Sequence, residues 1–146
     1  MIISLRNILF FGLLNCHLAF FAQSKIEHGN YQVNFLDAEN EGIQYTLTLN
    51  EDKTFKFHFF RKPKGANNPQ ENYYAKGTYT SENNLIFFDA HDDLDLNEDY
   101  TLNFKNSKAR FNTKSPRDVS TRVVKTSVKF YDSELFWVKG LELFKI

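Results

Sequence analysis

The chain has 146 residues, 18 Lys and Arg against 18 Asp and Glu, one cysteine and 16% aromatic residues. That length suits one domain with a single core, and the balanced charge excludes a global attraction to nucleic acid or to an anionic membrane. Sixteen Phe and seven Tyr favour pleated, half-buried surfaces over helices, which would use more Ala and Leu.

Residues 1–22 stand apart from the rest. Arg6 is their only charge, residues 8–21 (ILFFGLLNCHLAFF) are apolar apart from Asn15 and His17, and Ala22 precedes the polar QSKIEHGN. A positive start, a short apolar run and a small residue describe a secretory signal peptide, and the run falls short of the roughly 20 residues that a spanning helix needs. Removal of 1–22 leaves 23–146 as the mature domain, secreted or periplasmic and without a transmembrane span. It also removes Arg6 and Cys16, leaving one more acid than bases and no disulfide or thiol chemistry. Lipidation of Cys16 is disfavoured, because LLNC lacks small residues before the cysteine and HLAFFA after it is still apolar.

Period-2 alternation runs through the mature chain, with no convincing helical period. GNYQVNF (29–35) reads as a first strand. IQYTLTL (43–49) sets Ile43, Tyr45, Leu47 and Leu49 on one face; after the turn NEDK, TFKFHFFR (54–61) turns Phe55, Phe57 and Phe59 inward. KPKGANNPQE (62–71) is a loop. NYYAKGTYTSENNLIFF (72–88) predicts a second hairpin turning at SENN, with Gly77 as a candidate bulge. YTLNFK (100–105) and ARFNT (109–113) flank a short turn, and KSPRDVST (114–121) is a loop. RVVKTSVKFY (122–131) and LFWVKGLELFKI (135–146), bent at Gly140, predict the last hairpin.

These eight to ten short strands predict an all-β fold, a single antiparallel up-and-down barrel, because closure removes the open sheet edges. A two-sheet sandwich is the alternative. The progression GNYQV, YTLTLNEDKTFKF, KGTYTSENNLIFF and FWVKGLELFKI resembles the lipocalin-like, calycin-type small barrels of exported bacterial proteins. Tyr31 stands where true lipocalins carry the tryptophan of G-x-W. The resemblance implies a ligand-binding or envelope-associated module.

No nucleophile elbow, zinc-protease helix motif or phosphate-cradling glycine loop is present, so no catalytic residue and no cofactor is assigned. His28, His58 and His91 lack metal-ligand spacing, and His58 is expected to face solvent. In HDDLDLNEDY (91–100), Asp93, Asp95 and Asn97 fit the opening of a calcium loop. The sixth and twelfth positions, which want glycine and a bidentate glutamate, hold Glu98 and Phe104. An extended polar edge with Leu94 and Leu96 pointing into the core is expected instead, and no metal. Residues 89–99 hold six acids and no base, whereas 105–129 hold eight bases and only Asp118. The basic run suits an anionic polymer or lipid headgroup; charge offset between neighbouring strands, or alternate positions facing water, explains it more simply.

The apolar interior is the better functional candidate. Phe55, Phe57, Phe59, Tyr79, Phe87, Phe104 and Trp137 are the expected ligand-lining residues, either filling a small barrel or surrounding a pocket. The leading expectation is a monomeric, non-enzymatic module for a small apolar or amphiphilic ligand. A filled barrel with a structural or protein- or glycan-binding role is the alternative, and a hydrolase with a site invisible in sequence the third.

Overall fold

The computed structural model describes residues 25–65, 67 and 69–146, so the expected signal peptide lies outside the described residues. Eight strands follow in order: β1 (Gly29–Asn34), β2 (Gly42–Leu49), β3 (Thr54–Lys62), β4 (Glu71–Glu82), β5 (Leu85–Asp89), β6 (Lys108–Asn112), β7 (Ser127–Asp132) and β8 (Glu142–Lys145). Each pairs antiparallel with the next, and β8 returns to β1 through Tyr31 opposite Lys145 and Gln32 opposite Phe144. The result is a closed up-and-down barrel, as the alternation predicts.

Tight polar turns set the register. Asp37 Oδ1 accepts the amides of Glu39 and Glu41 between β1 and β2, and Asp52 Oδ1 accepts those of the Thr54 amide and hydroxyl before β3. Asn40, Lys53, Asn83 and Asn106 take left-handed φ values of 58°, 66°, 54° and 62° at their turns, which asparagine tolerates better than most residues. Residues 83–84 alone join β4 to β5, so that hairpin is tighter than expected. Gly77 marks no bulge, since the β3 to β4 register runs through it unbroken. Its inward position is crowded instead: a Cβ there would lie 2.2 Å from the Asp89 carbonyl oxygen and 2.9 Å from Phe55 Cε1. The barrel's one register shift falls between Lys108 and Ala109.

Three predicted strand segments take other forms. Residues 100–105 form no ladder; because β5 is short, they cover the upper edge of β4 through one bond from the Leu102 amide to the Tyr74 carbonyl. Strand β7 begins only at Ser127, so residues 122–126 belong to the preceding loop. Residues 135–140 fold into successive turns, with the Val138 amide bonded to Leu135 and the Leu141 amide to Val138, and Gly140 at φ 92°. The acidic stretch is one helical turn, α1 (Asp92–Asp95), closed by bonds from the Leu94 and Asp95 amides to the His91 carbonyl. Leu94 is therefore 71% exposed rather than in the core. Asp95 reaches back to accept the His91 amide, and Asp92 accepts from Asn103.

The interior is filled with rings. Every strand contributes buried inward residues, among them Tyr31, Leu47, Phe57, Tyr79, Phe88, Phe111, Phe130 and Leu143. At their centre sits Phe104, 0% exposed and supplied by the β5 to β6 connection rather than by a strand. Its ring centroid lies 4.6 Å from Phe57, 5.7 Å from Phe55, 5.8 Å from Phe130 and 6.3 Å from Phe88. Among the described residues no buried side-chain nitrogen or oxygen lacks a hydrogen-bond partner.

One end of the barrel is corked by the segment preceding β1. Ile26 is 3% exposed, and the Tyr31 hydroxyl donates to the Glu27 carbonyl. The Tyr79 hydroxyl donates to the Asn50 carbonyl at 2.9 Å and lies 3.0 Å from His28 Nδ1. Burial, and then the nearby Asp52 charge, push the Tyr79 phenol up to about 12. Burial, with Glu27 and Tyr79 adding to it, raises Tyr31 as well.

Two outcomes follow from this packing. Phe104→Ala is expected to cost about 3–5 kcal/mol in urea unfolding, as for a buried ring lost without collapse, whereas Phe87→Ala on the outer wall costs about 1 kcal/mol. Equal costs would refute a central role for Phe104. Because the folded phenols ionise at higher pH than the ordinary value of 10.0, their contribution is intact below about pH 10 and lost as pH rises towards 12. Unfolding free energies at pH 9, 10 and 11 should fall across that window, and Tyr79→Phe should flatten the fall; a pH-independent stability there would contradict the assignment.

Candidate functional site

The end opposite the cork carries the β1–β2, β3–β4, β5–β6 and β7–β8 connections. The inward row of three neighbouring strands ends there in aromatic residues: Tyr45 on β2, Phe59 on β3 and Tyr73 on β4, placed side by side by the pairs Tyr45 with Phe59 and Phe59 with Tyr73. Their rings stack. Tyr73 lies 5.6 Å from Phe59 at 21°, and Phe59 lies 5.1 Å from Tyr45 at 17°.

The turns of the β7–β8 connection bring Trp137 over this row, its ring centroid 5.2 Å from that of Phe59, 5.8 Å from Tyr45 and 6.2 Å from Phe57. Val33, Leu135 and Leu141 are, like Trp137, partly buried against the core. At the rim, Arg61 and Glu71 form an ion pair at 3.5 Å. Phe35 and Phe136, at the same end, are 63% and 86% exposed. Partial burial raises the Tyr45 phenol above its ordinary value. The mouth is thus a half-exposed aromatic stack with the Arg61–Glu71 pair at its edge. It can hold an apolar or planar group against ring faces and a polar group at the rim.

The expected lining residues divide among three places. Phe55, Phe57, Tyr79 and Phe104 lie within the filled interior, at most 1% exposed. Phe59 and Trp137 belong to the mouth. Phe87 joins neither: Tyr79 pairs with Phe88, so Phe88 points inward and Phe87 stands on the outer wall opposite Thr80 and Lys108. It borders a shallow outer cleft of about 450 Å³ shared with Thr78, Thr80, Asp89, Lys105 and Lys108. Tyr73 was not among the expected residues, although its register against Phe59 is the signal that finds it. Tyr45 was visible on the inward face of its strand.

The histidines do not converge. His58 is on the outer wall, stacked on Tyr74 at 4.6 Å and 8°, with Nε2 2.8 Å from Asn72 Oδ1. His28 is at the cork and His91 precedes α1. Among the described residues no three His, Cys, Asp or Glu groups come together as metal ligands, and no helix is long and apolar enough to cross a membrane.

Residues 37–111 match the family model of the NlpE N-terminal domain. The matched stretch runs from the β1–β2 turn through β6 and includes Tyr45, Phe59, Tyr73 and the central Phe104. No curated protein and no solved structure matches the chain. A match over half of the chain, on a closed antiparallel barrel, places it: the protein belongs to the NlpE N-terminal domain family, β-barrel domains of the bacterial envelope.

Proposed function

We propose that the chain is exported by residues 1–22 and works, in the manner of lipocalin-like barrels, as a non-enzymatic binding module that holds a small amphiphilic ligand at its mouth. The observation that carries this reading is the contrast between the rings. Those deep in the barrel are at most 3% exposed, whereas Tyr45, Phe59, Tyr73 and Trp137 are left partly open in one stack. A filled interior leaves a ligand the mouth rather than the lumen. The apolar part would lie on Tyr73 and Trp137, and the polar part would meet Arg61 and Glu71.

The filled interior also supports a second reading, in which the mouth meets a protein or a glycan. Phe136 at 86% and Phe35 at 63% exposure extend the apolar rim beyond what a small ligand needs. Such surfaces are characteristic of contact sites.

Trp137 is the chain's only tryptophan, so its emission reports on the mouth directly. Titration with a lysophospholipid below its micellar concentration should give a saturable change in that emission, and Tyr73→Ala should weaken binding about three- to tenfold, as the loss of one aromatic contact. No change in emission, together with native mass spectra of host-purified protein showing the bare chain alone, would remove the small-ligand reading and leave the contact surface.

A further inference from the structure

The β6–β7 connection, residues 113–126, lies at the corked end and combines two features. It carries Lys114, Arg117, Arg122 and Lys125 against the single acid Asp118. Between these bases stand Val119 and Val123, 97% and 87% exposed. The loop has a defined shape. Arg122 bonds Asp118 at 2.9 Å, the Ser120 amide bonds Asp118 Oδ1 at 3.0 Å, and the Thr113 and Thr126 hydroxyls lie 3.1 Å apart at its base. The two valines are therefore presented outward from a braced loop among cations. Charge alone would suit any polyanion. Exposed branched apolar side chains alternating with bases suit an interface of headgroups over hydrocarbon.

The position of the loop points the same way. The Thr126 carbonyl accepts the Lys145 amide at 2.9 Å, and Lys145 Nζ lies 2.6 Å from Glu27. The base of the loop is thus tied through β8 to the cork. The acidic run lies at the other end: Asp92, Asp93, Asp95, Glu98 and Asp99 belong to the β5–β6 connection at the mouth. At the corked end, besides Asp118, Glu51 and Asp52 occupy the β2–β3 turn on the opposite side of the barrel from β6 and β7, Glu82 ends β4, and Glu27 is paired with Lys145. The imbalance seen along the sequence is therefore a polarity along the barrel axis, basic beneath and acidic above.

We infer that the β6–β7 loop docks on an anionic lipid surface, with Val119 and Val123 entering the interface and the aromatic mouth facing away from the bilayer. This does not rest on the ligand proposed for the mouth. In the full chain carrying Trp137→Phe and Val119→Trp, the single indole reports on the loop; Val119 is 97% exposed, so its replacement disturbs no packing. With vesicles containing about 30% phosphatidylglycerol, its emission should shift to the blue and be quenched by brominated acyl chains. Phosphatidylcholine vesicles should produce neither effect. In the unaltered chain Trp137 should stay unquenched on the same vesicles. Arg117→Gln with Lys125→Gln, in the otherwise native chain, should weaken vesicle partitioning roughly 25-fold, at about fivefold per basic residue. An unshifted loop indole, an equal response to neutral vesicles, or quenching of Trp137 would each overturn the inference. So would binding of soluble polyphosphate with equal affinity and no entry of the loop into lipid.

Discussion

The packing of Phe104 against Phe55, Phe57, Phe88 and Phe130 is the constraint on which the rest depends. An eight-stranded barrel has room for side chains or for one small ligand, but not for both in the same space. Here the β5–β6 connection folds a ring into the centre, so the space that a lipocalin-like barrel would give to a ligand is occupied by the chain itself. Edge-to-face and tilted contacts between these rings add about 0.5–1.5 kcal/mol per pair beyond burial. They also explain the small residues opposite them. Gly77, Ala75 and Ala109 are inward positions where a larger side chain would compete with the central rings.

With the middle filled, chemistry is confined to the ends, and the two ends are built differently. At the cork, the buried hydroxyls are used locally: those of Tyr31 and Tyr79 bond the Glu27 and Asn50 carbonyls, and Ile26 is buried with them. At the mouth the inward row continues in Tyr45, Phe59 and Tyr73 after the strands have passed the core, and the turns at 135–140 lay Trp137 across them. These rings stack on one another as well as on the core, and the stack keeps apolar area in reach of a partner.

Much of the barrel was legible in the sequence because its strands are long enough to show their period. TFKFHF and IQYTLTL alternate over six and seven residues, and the Asn and Asp turns between runs punctuate the hairpins. Legibility failed where the period was ambiguous. LIFF offers two adjacent phenylalanines, and only the pairing of Tyr79 with Phe88 decides that Phe88 is inward and Phe87 outward. DLDL fits one helical turn as well as a strand, so its alternation points Leu94 at a core that it does not reach. YTLNFK does send Phe104 inward, yet it forms no ladder, because a ladder needs a partner edge and β5 is too short to provide one. The mouth was half visible for the same reason: Phe59 and Trp137 stand out as aromatic residues, whereas Tyr73 acquires its role only from cross-strand register.

The charge imbalance shows how topology converts a sequence pattern into a direction. Six acids in 89–99 followed by eight bases in 105–129 would cancel if adjacent strands carried them side by side. Some cancellation does occur on the wall, where Lys108 meets Asp132 at 3.0 Å and Lys129 meets Glu142 at 3.4 Å. The remainder is sorted by connectivity. In an up-and-down barrel successive connections alternate between ends, so an acidic β5–β6 connection and a basic β6–β7 connection must lie on opposite ends. A nearly neutral chain thereby acquires opposed local fields separated by the length of a strand, about 17–20 Å and beyond the roughly 10 Å over which salt at 0.1 M screens them from each other. Each end therefore meets its surroundings with its own sign, although the molecule as a whole carries almost none.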